Sequence, residues 1–223
     1  MPKIAKGYFI TGTDTGVGKT LVAKTLLIVL AKAGYKTIGL KPVASGSSNT
    51  KWGLRNHDAC ALKKCATEKL PYEQINPYAF QEPIAPHIAA INTGIKLTVK
   101  KIIFAAKPAL TMSADYIIIE GAGGWLTPLN QSETIADLAQ AFNYPIILIV
   151  GIRLGCINHA LLTLKCMENS GIKLQGWIAN IIENKMRYAM DNIRTIEKCT
   201  KTQLLTVIPY QADGKVSATS KSP

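Results

Sequence analysis

Nine residues near the start of the chain, Gly12-Thr13-Asp14-Thr15-Gly16-Val17-Gly18-Lys19-Thr20, combine three glycines with a closing Lys-Thr pair. A turn of this composition lets backbone N–H groups converge on a polyphosphate, and the N-terminus of a following helix adds partial positive charge. Lys19 can then reach the β/γ-phosphates, and the Thr20 hydroxyl can ligate Mg2+. The strict pattern would place its first glycine at position 13, where Thr13 stands; Gly12 lies one residue earlier. The competing explanation is a glycine turn that only joins a strand to a helix. The apolar Tyr8-Phe9-Ile10 before it and the helix-like Leu21–Leu27 after it favour the phosphate loop.

Further polar residues stand at the ends of apolar runs. Glu120 closes Ile117-Ile118-Ile119 and precedes Gly121-Ala122-Gly123-Gly124. A carboxylate there can hold Mg2+ directly or through water, and the glycines admit a ligand to the backbone. Lys41 follows Thr37–Leu40 and precedes Pro42, and a second cation beside a phosphate loop would face a transferring phosphoryl group; a solvated loop lysine is the alternative. Asp58, in Gly53–Asp58, is either a metal ligand or the cap of a helix that begins there. Ser45 is a hydrogen-bond donor to the same ligand or a turn residue. Gly155-Cys156-Ile157-Asn158 is a second glycine turn opening a helix, suited to a phosphate or a carboxylate. His87 and His159 lack a ligand-spaced partner and read as structural. Cys156 at a helix N-terminus suits a lowered pKa, but nothing else in the sequence points to thiol chemistry.

These residues need a frame that brings them to one edge. Strands are expected at Tyr8–Thr11, Thr37–Lys41, Tyr116–Glu120, Ile146–Val150, Gly176–Ile181 and Leu204–Ile208. Several are apolar throughout, as strands covered on both faces are. Helices are expected at Lys19–Ala33, His57–Ala66, Leu97–Thr111, Ile135–Phe142, Ile157–Ser170 and Lys185–Cys199, and loops at Ala44–Asn49 and Pro71–Pro86. The alternation predicts an α/β chain of P-loop NTPase type, a mostly parallel central sheet with helices on both faces, in a single domain over residues 1–223. A polar tail after Gln211 is expected to order weakly. In such a sheet, ligands bind beyond the carboxyl ends of the strands, which is where the residues above fall.

The 223 residues are 48% hydrophobic and 18% charged, and no apolar run approaches the roughly 18 residues that span a bilayer. The N-terminal residues show no leader-like apolar region, so a cytoplasmic location is expected. Five scattered cysteines without a Cys-x-x-Cys pair argue for reduced thiols rather than disulfides or zinc. The net charge of +12 raises nucleic-acid binding, but the lysines are spread along the chain, and neither nucleic acid nor membrane is expected as a partner.

In combination, the blocks Gly12–Thr20, Lys41–Gly46, Gly53–Asp58, Asn76–Phe80 leading to Pro86-His87, Glu120–Gly124, Leu154–His159 and Gly176–Asn180 resemble the dethiobiotin synthetases, over roughly residues 7 to 211. The resemblance implies the reaction of 7,8-diaminononanoate, CO2 and ATP with Mg2+ to give dethiobiotin, ADP and phosphate. It passes through a carbamate and a carbamic-phosphoric anhydride. By the same resemblance, Thr20, Asp58 and Glu120 would ligate Mg2+. Lys19 and Lys41 would hold the carbamate and γ-phosphate, with Thr15 and Ser45 as hydrogen-bonding partners. Gly16, Val17, Gly18 and Leu21, with Gly121, Ala122 and Gly123, would complete the nucleotide site, and Asn180 would read the adenine edge beside Pro209-Tyr210-Gln211. Gly155 to Asn158 would receive the substrate carboxylate across the interface of a homodimer.

The sequence departs from the family pattern at two places. A tyrosine that the family can supply to the partner's substrate carboxylate aligns with Asn192, one helical turn after Tyr188, and Gly16 stands where relatives can carry an acidic side chain. Two other classes compete. Amidating cobyrinic-acid synthases carry a further glutaminase domain for which 223 residues leave no room, and partitioning-type ATPase switches place an extra lysine at the head of the loop, where this chain has Gly12-Thr13-Asp14.

Overall fold

Alternate residues of the long apolar runs pack to opposite sides of one sheet. The computed structural model describes residues 5–211. In chain order its elements are β1 (Lys6–Gly12), α1 (Lys19–Lys32), β2 (Thr37–Leu40), β3 (Val43–Ala44), β4 (Ser48–Thr50), β5 (Gly53–Arg55), α2 (His57–Cys65), α3 (Tyr72–Ile75), β6 (Tyr78–Ala79) and α4 (Pro86–Asn92). There follow α5 (Val99–Leu110), β7 (Tyr116–Glu120), α6 (Ile135–Phe142), β8 (Ile146–Ile152), α7 (Cys156–Glu168), β9 (Leu174–Ile181), α8 (Ala189–Cys199) and β10 (Leu204–Ile208).

The main sheet has six strands in the order β10-β9-β8-β1-β7-β2, and every adjacent pair is parallel. Phe9, Ile117, Ile119, Leu148 and Val150 join a core with Ile102 of α5, Leu138 of α6, Leu164 of α7 and Ile193 of α8. Their neighbours Ile10, Ile118, Ile147 and Ile149 pack instead with Val22 and Leu27 of α1 and Leu62 of α2. The sheet is therefore covered on both faces, which is why its strands read as nearly continuous apolar runs. With β1 flanked by β7 and β8, the carboxyl ends of these strands open the crevice where such sheets bind ligands.

Several helix limits differ from the sequence reading for identifiable reasons. The Thr98 side chain accepts from Lys101 N, so α5 begins at Val99 rather than Leu97. The helix expected from Lys185 begins at Ala189. The stretches expected as loops carry short elements: β3 pairs with β6 in parallel, and β4 with β5 as a hairpin. Helix α4, which the sequence reading did not include, starts with Pro86 at its first position, where the missing N–H costs nothing. The tail expected to order weakly lies outside the described residues.

Candidate active site at the carboxyl edge of the sheet

The turn between β1 and α1 is built by glycines where the backbone demands them. Gly16 and Gly18 have φ of 76° and 96°, and Gly18 caps α1 in the left-handed conformation, so the N–H groups of the first turn are left without a side-chain cap. A side chain at Gly18 would run into Asn180, which projects from the end of β9 and donates from Nδ2 to Val17 O at 2.9 Å. Asn180 is buried against the loop that the sequence singled out. The loop is also tied across the sheet edge, because Arg153 after β8 pairs with Asp14 at 2.6 Å.

Four charged side chains meet beyond β1, β2 and β7. Lys41, at the end of β2, donates to Glu120 Oε1 at 2.5 Å and pairs with Asp58 Oδ2 at 3.0 Å. The Thr20 hydroxyl donates to the same Glu120 oxygen at 2.8 Å, and Lys19 donates to Asp14 O at 2.7 Å. Lys19, Lys41 and Glu120 are all buried, at 7%, 5% and 1% exposure, so the group is a desolvated charge network rather than a set of surface residues. It removes the solvated-lysine alternative for Lys41. Asp58 does not cap its helix: Asn56 does, its Oδ1 accepting from Asp58 N and Ala59 N, which leaves the Asp58 carboxylate free to turn into the cleft.

Burial and the neighbouring Lys41 cation push the Lys19 ammonium down to about 8, against the pull of Glu120, Asp58 and Asp14. Burial opposes the charge on Lys41 as well, yet Glu120 and Asp58 hold its pKa above the ordinary lysine value. Burial would raise the Asp58 carboxyl, but Lys41 and a hydrogen bond from Thr20 keep it below the ordinary value. Lys41 is thus a fixed cation, while burial makes the charge on Lys19 the more costly of the two.

These groups line a cleft of about 790 Å3, together with Thr15, Gly16, Gly18, Thr20, Ala44, Ser45, Ala122, Gly123 and the wall Pro83–Pro86. The Ser45 hydroxyl and Glu120 Oε2 are buried without a hydrogen-bond partner. Gly123 has a φ of 64°, and the Gly124 N–H donates to Thr127 Oγ1 at 2.8 Å, which fixes the turn after β7. Gly121 lies behind the cleft against Phe9 and Ile135, and Val17 and Leu21 belong to the loop and the first turn of α1 without lining it.

Other expected residues stand apart. Gly155, Asn158 and the 91%-exposed Leu154 lie on the surface at the start of α7, with Cys156 buried and Ile157 half-buried, and none of them lines the cleft. Pro209, Tyr210 and Gln211 follow β10, the strand paired with β9 on the far side of Asn180. Tyr188 is exposed at the N-cap of α8, and Asn192 donates its N–H to Tyr188 O at 3.1 Å. His159 is exposed, and His87 sits on α4 outside the cleft. The sequence reading passed over Asn56, Asp14 and Arg153; of these only Asn56 carried a local signal, an asparagine directly before a helix.

The parallel sheet, the glycine loop and the lysine-carboxylate cluster define a P-loop nucleotide-binding protein. In agreement, residues 6–216 match the family model described as an AAA domain. The chain is 46% identical over 215 residues to the ATP-dependent dethiobiotin synthetase BioD of Cellvibrio japonicus (strain Ueda107), covering 96% of this chain and 94% of the relative. It is 42% identical to the ATP-dependent dethiobiotin synthetase BioD 1 of Escherichia coli (strain K12), covering 96% and 95%. The chain belongs to the ATP-dependent dethiobiotin synthetase family. Among solved structures it is similar to the septum site-determining protein MinD complexed with Mg-ADP from Pyrococcus horikoshii OT3, at TM-score 0.58 and 14% identity over 94% of this chain and 84% of that one. A putative plasmid partition protein from Borrelia burgdorferi B31 bound to AMPPNP gives TM-score 0.57 and 13% identity over 98% and 93%. These two likenesses concern the fold alone.

Proposed function

We propose that this chain carboxylates 7,8-diaminononanoate with CO2 and closes the ureido ring at the expense of ATP, giving dethiobiotin, ADP and phosphate. The observation that carries the proposal is the convergence of Lys19, Lys41, Thr20, Asp58 and Glu120 in one cleft, at the mouth of a phosphate loop, in a chain of this family.

An amine of the substrate adds to CO2 and loses a proton, giving a carbamate. One carbamate oxygen attacks the γ-phosphorus and the bond to the β-phosphate oxygen breaks, releasing ADP. The second amine then attacks the carbamoyl carbon and loses a proton, and phosphate leaves with the oxygen that had come from CO2. Each step gathers negative charge, so fixed cations and donors contribute more than a strong base. Lys41, locked between two carboxylates, is preorganised to face the carbamate. Lys19, in apposition to the loop carbonyl of Asp14, exchanges that contact for the β/γ-phosphates. Thr15 and the partnerless hydroxyl of Ser45 supply hydrogen bonds at the cleft wall.

The oxygen donors fit a hard divalent cation: Glu120 Oε2 is buried with no partner, and Thr20 and Asp58 face the same space. Thr20, Asp58 and Glu120 would hold Mg2+, which when bound neutralises charge on the triphosphate. Among the described residues no group of three or more His, Cys, Asp or Glu gathers, so the Thr20 hydroxyl would supplement the two carboxylates. Asn180 and the segment Pro209-Tyr210-Gln211 would take the adenine. Gly155 to Asn158, exposed at the start of α7, would take the substrate carboxylate of a second copy in a homodimer.

We assign the whole chain to one domain and the enzyme to the cytoplasm, in keeping with five cysteines that are all free. Among the described residues no helix is long and apolar enough to cross a membrane. The test is phosphate release from Mg-ATP and bicarbonate with and without the diamine, with the product weighed by mass spectrometry. Diamine-dependent release with one dethiobiotin per phosphate is expected; no stimulation from a folded, nucleotide-binding protein would overturn the proposal.

A further inference from the structure

Behind the cleft lies a buried polar chain that no part of the mechanism above uses. The Tyr72 hydroxyl donates to Asn76 Oδ1 at 2.8 Å and accepts from Asn56 N at 2.6 Å. Asn76 Nδ2 donates to Lys41 O at 2.7 Å, and Lys41 N donates to Ile75 O at 2.9 Å, so the lysine's backbone is held on both sides by α3 and its C-cap. From the other end, Asn56 Nδ2 donates to Ser45 O at 3.2 Å while its Oδ1 caps α2 just where Asp58 begins. Tyr72, Asn76 and Asn56 are 6%, 3% and 5% exposed, and none of them lines the cleft. Arg55 closes the outer side, its guanidinium 4.2 Å from the centre of the Tyr72 ring and paired with Glu73 at 3.0 Å.

Through two asparagines, one hydroxyl on α3 thus joins the end of β2, the turn holding Ser45, and the start of α2. Each delivers a different group to the cleft, an ammonium, a hydroxyl and a carboxylate. A phenol suits this place because it donates and accepts at once, and each bond in such a buried chain polarises the next. Burial also raises the Tyr72 pKa, so the hydroxyl keeps its proton and its donor role.

We propose that Tyr72, acting through Asn76 and Asn56, is a positioning residue that sets Lys41, Ser45 and Asp58 in mutual register for the reaction. The proposal deepens the ring-closure reading and rests on it for its kinetic consequence. Tyr72→Phe keeps the ring, its packing and the Arg55 contact, and removes only the oxygen. Asn76 Oδ1 and Asn56 N–H then lose their shared partner, and the three segments lose their common link. Misplacement on the order of an ångström at remote supports costs up to about a hundredfold in rate.

Tyr72→Phe should lower kcat by about ten- to a hundredfold while KM for ATP stays within about twofold, because the phosphate loop lies outside the chain of bonds. Ile196→Ala, a fully buried change on α8, which packs against α7 and β8 rather than α3, serves as a variant that loses stability away from the polar chain. A second readout needs no activity: labelling of Lys41 by an amine-reactive reagent, mapped by mass spectrometry, should speed up about fivefold or more in Tyr72→Phe with Lys19 labelling unchanged. A kcat within twofold of the natural protein, or an equal loss in Ile196→Ala at matched stability, would overturn the proposal. So would unchanged Lys41 labelling. Absence of diamine-dependent turnover in the natural protein would strike the functional reading instead, and the labelling experiment would still decide the role of Tyr72.

Discussion

Replacing Lys41 by methionine removes the fixed cation of the cleft while keeping an unbranched stem of similar length. In the structure its ammonium touches Glu120 at 2.5 Å and Asp58 at 3.0 Å, with the Glu120 side chain 1% exposed. Removing one member of a buried pair leaves the other charge uncompensated, which typically costs about 3–5 kcal/mol, so the ligand-free variant should unfold at markedly lower denaturant. In turnover, losing one preorganised charge at the site of developing negative charge costs about a hundred- to a thousandfold in kcat, or about 2.7–4 kcal/mol. Nucleotide affinity should change by no more than about threefold, because Lys19 and the loop backbone remain. Steady-state phosphate release, ATP titration by calorimetry and denaturant unfolding on the same preparation separate these effects. Turnover within about tenfold of the natural protein, in a variant that binds ATP normally, would refute the assignment of Lys41 to the reacting groups.

Lys19→Met should abolish ATP binding yet stabilise the ligand-free protein near pH 7. The folded pKa of about 8 lies below the ordinary 10.5, so the unfolded state binds more protons between them and Lys19 adds stability as pH rises through that window, by up to about 3 kcal/mol. Unfolding curves at pH 7 and pH 10.5 should therefore show the variant's advantage at the lower pH and its disappearance at the higher; Lys41, whose pKa is raised, loses its own contribution only above 10.5. Because the anion needs the charged form, ATP affinity should fall about tenfold per unit of pH above about 8, with proton uptake on binding seen by calorimetry in buffers of different ionisation enthalpy. Asn180→Leu removes the hydrogen bond to Val17 O and should weaken ATP binding by about tenfold with kcat at saturation unchanged, as titration and saturation kinetics would show. Leu154→Glu, at a 91%-exposed position beside Gly155, tests the proposed homodimer: the natural protein should sediment as a dimer and the variant as a monomer, with KM raised for the diamine but not for ATP. A monomeric variant with normal diamine kinetics would remove the second copy from the site.

The strands were legible because burial on both faces writes itself as apolar runs: the expected Tyr116–Glu120 and Leu204–Ile208 match the observed limits. The phosphate loop, Lys41 and Glu120 were legible because strand ends and glycines mark them, and the structure brings them together. Apart from α2, expected at His57–Ala66 and found at His57–Cys65, the region 43–92 was less so. Its one- to two-turn elements are held by tertiary contacts, such as the burial of Ile75 and Phe80, rather than by local periodicity. Asp58 illustrates the limit of local signals, since Asp and Asn are equally good caps and only the structure shows that Asn56 takes the role. Tyr72 could not be picked out at all, because its role depends on bonds to residues 4 and 16 positions away, and the chain reaches Lys41 only across 35. The four residues Gly155–Asn158 were legible as a glycine turn opening a helix, which the left-handed Gly155 at the head of α7 is, but the sequence does not show that they lie off the cleft.

Activation of a carbamate by phosphoryl transfer moves one oxygen from CO2 to phosphate, and oxygen tracing follows that transfer. With bicarbonate labelled in all three oxygens by 18O, reacted rapidly with the diamine and Mg-ATP, the released phosphate should carry one label for each dethiobiotin formed, and ADP none. Dethiobiotin formation with unlabelled phosphate would mean that ATP is cleaved by water and that no carbamic-phosphoric anhydride forms in the cleft.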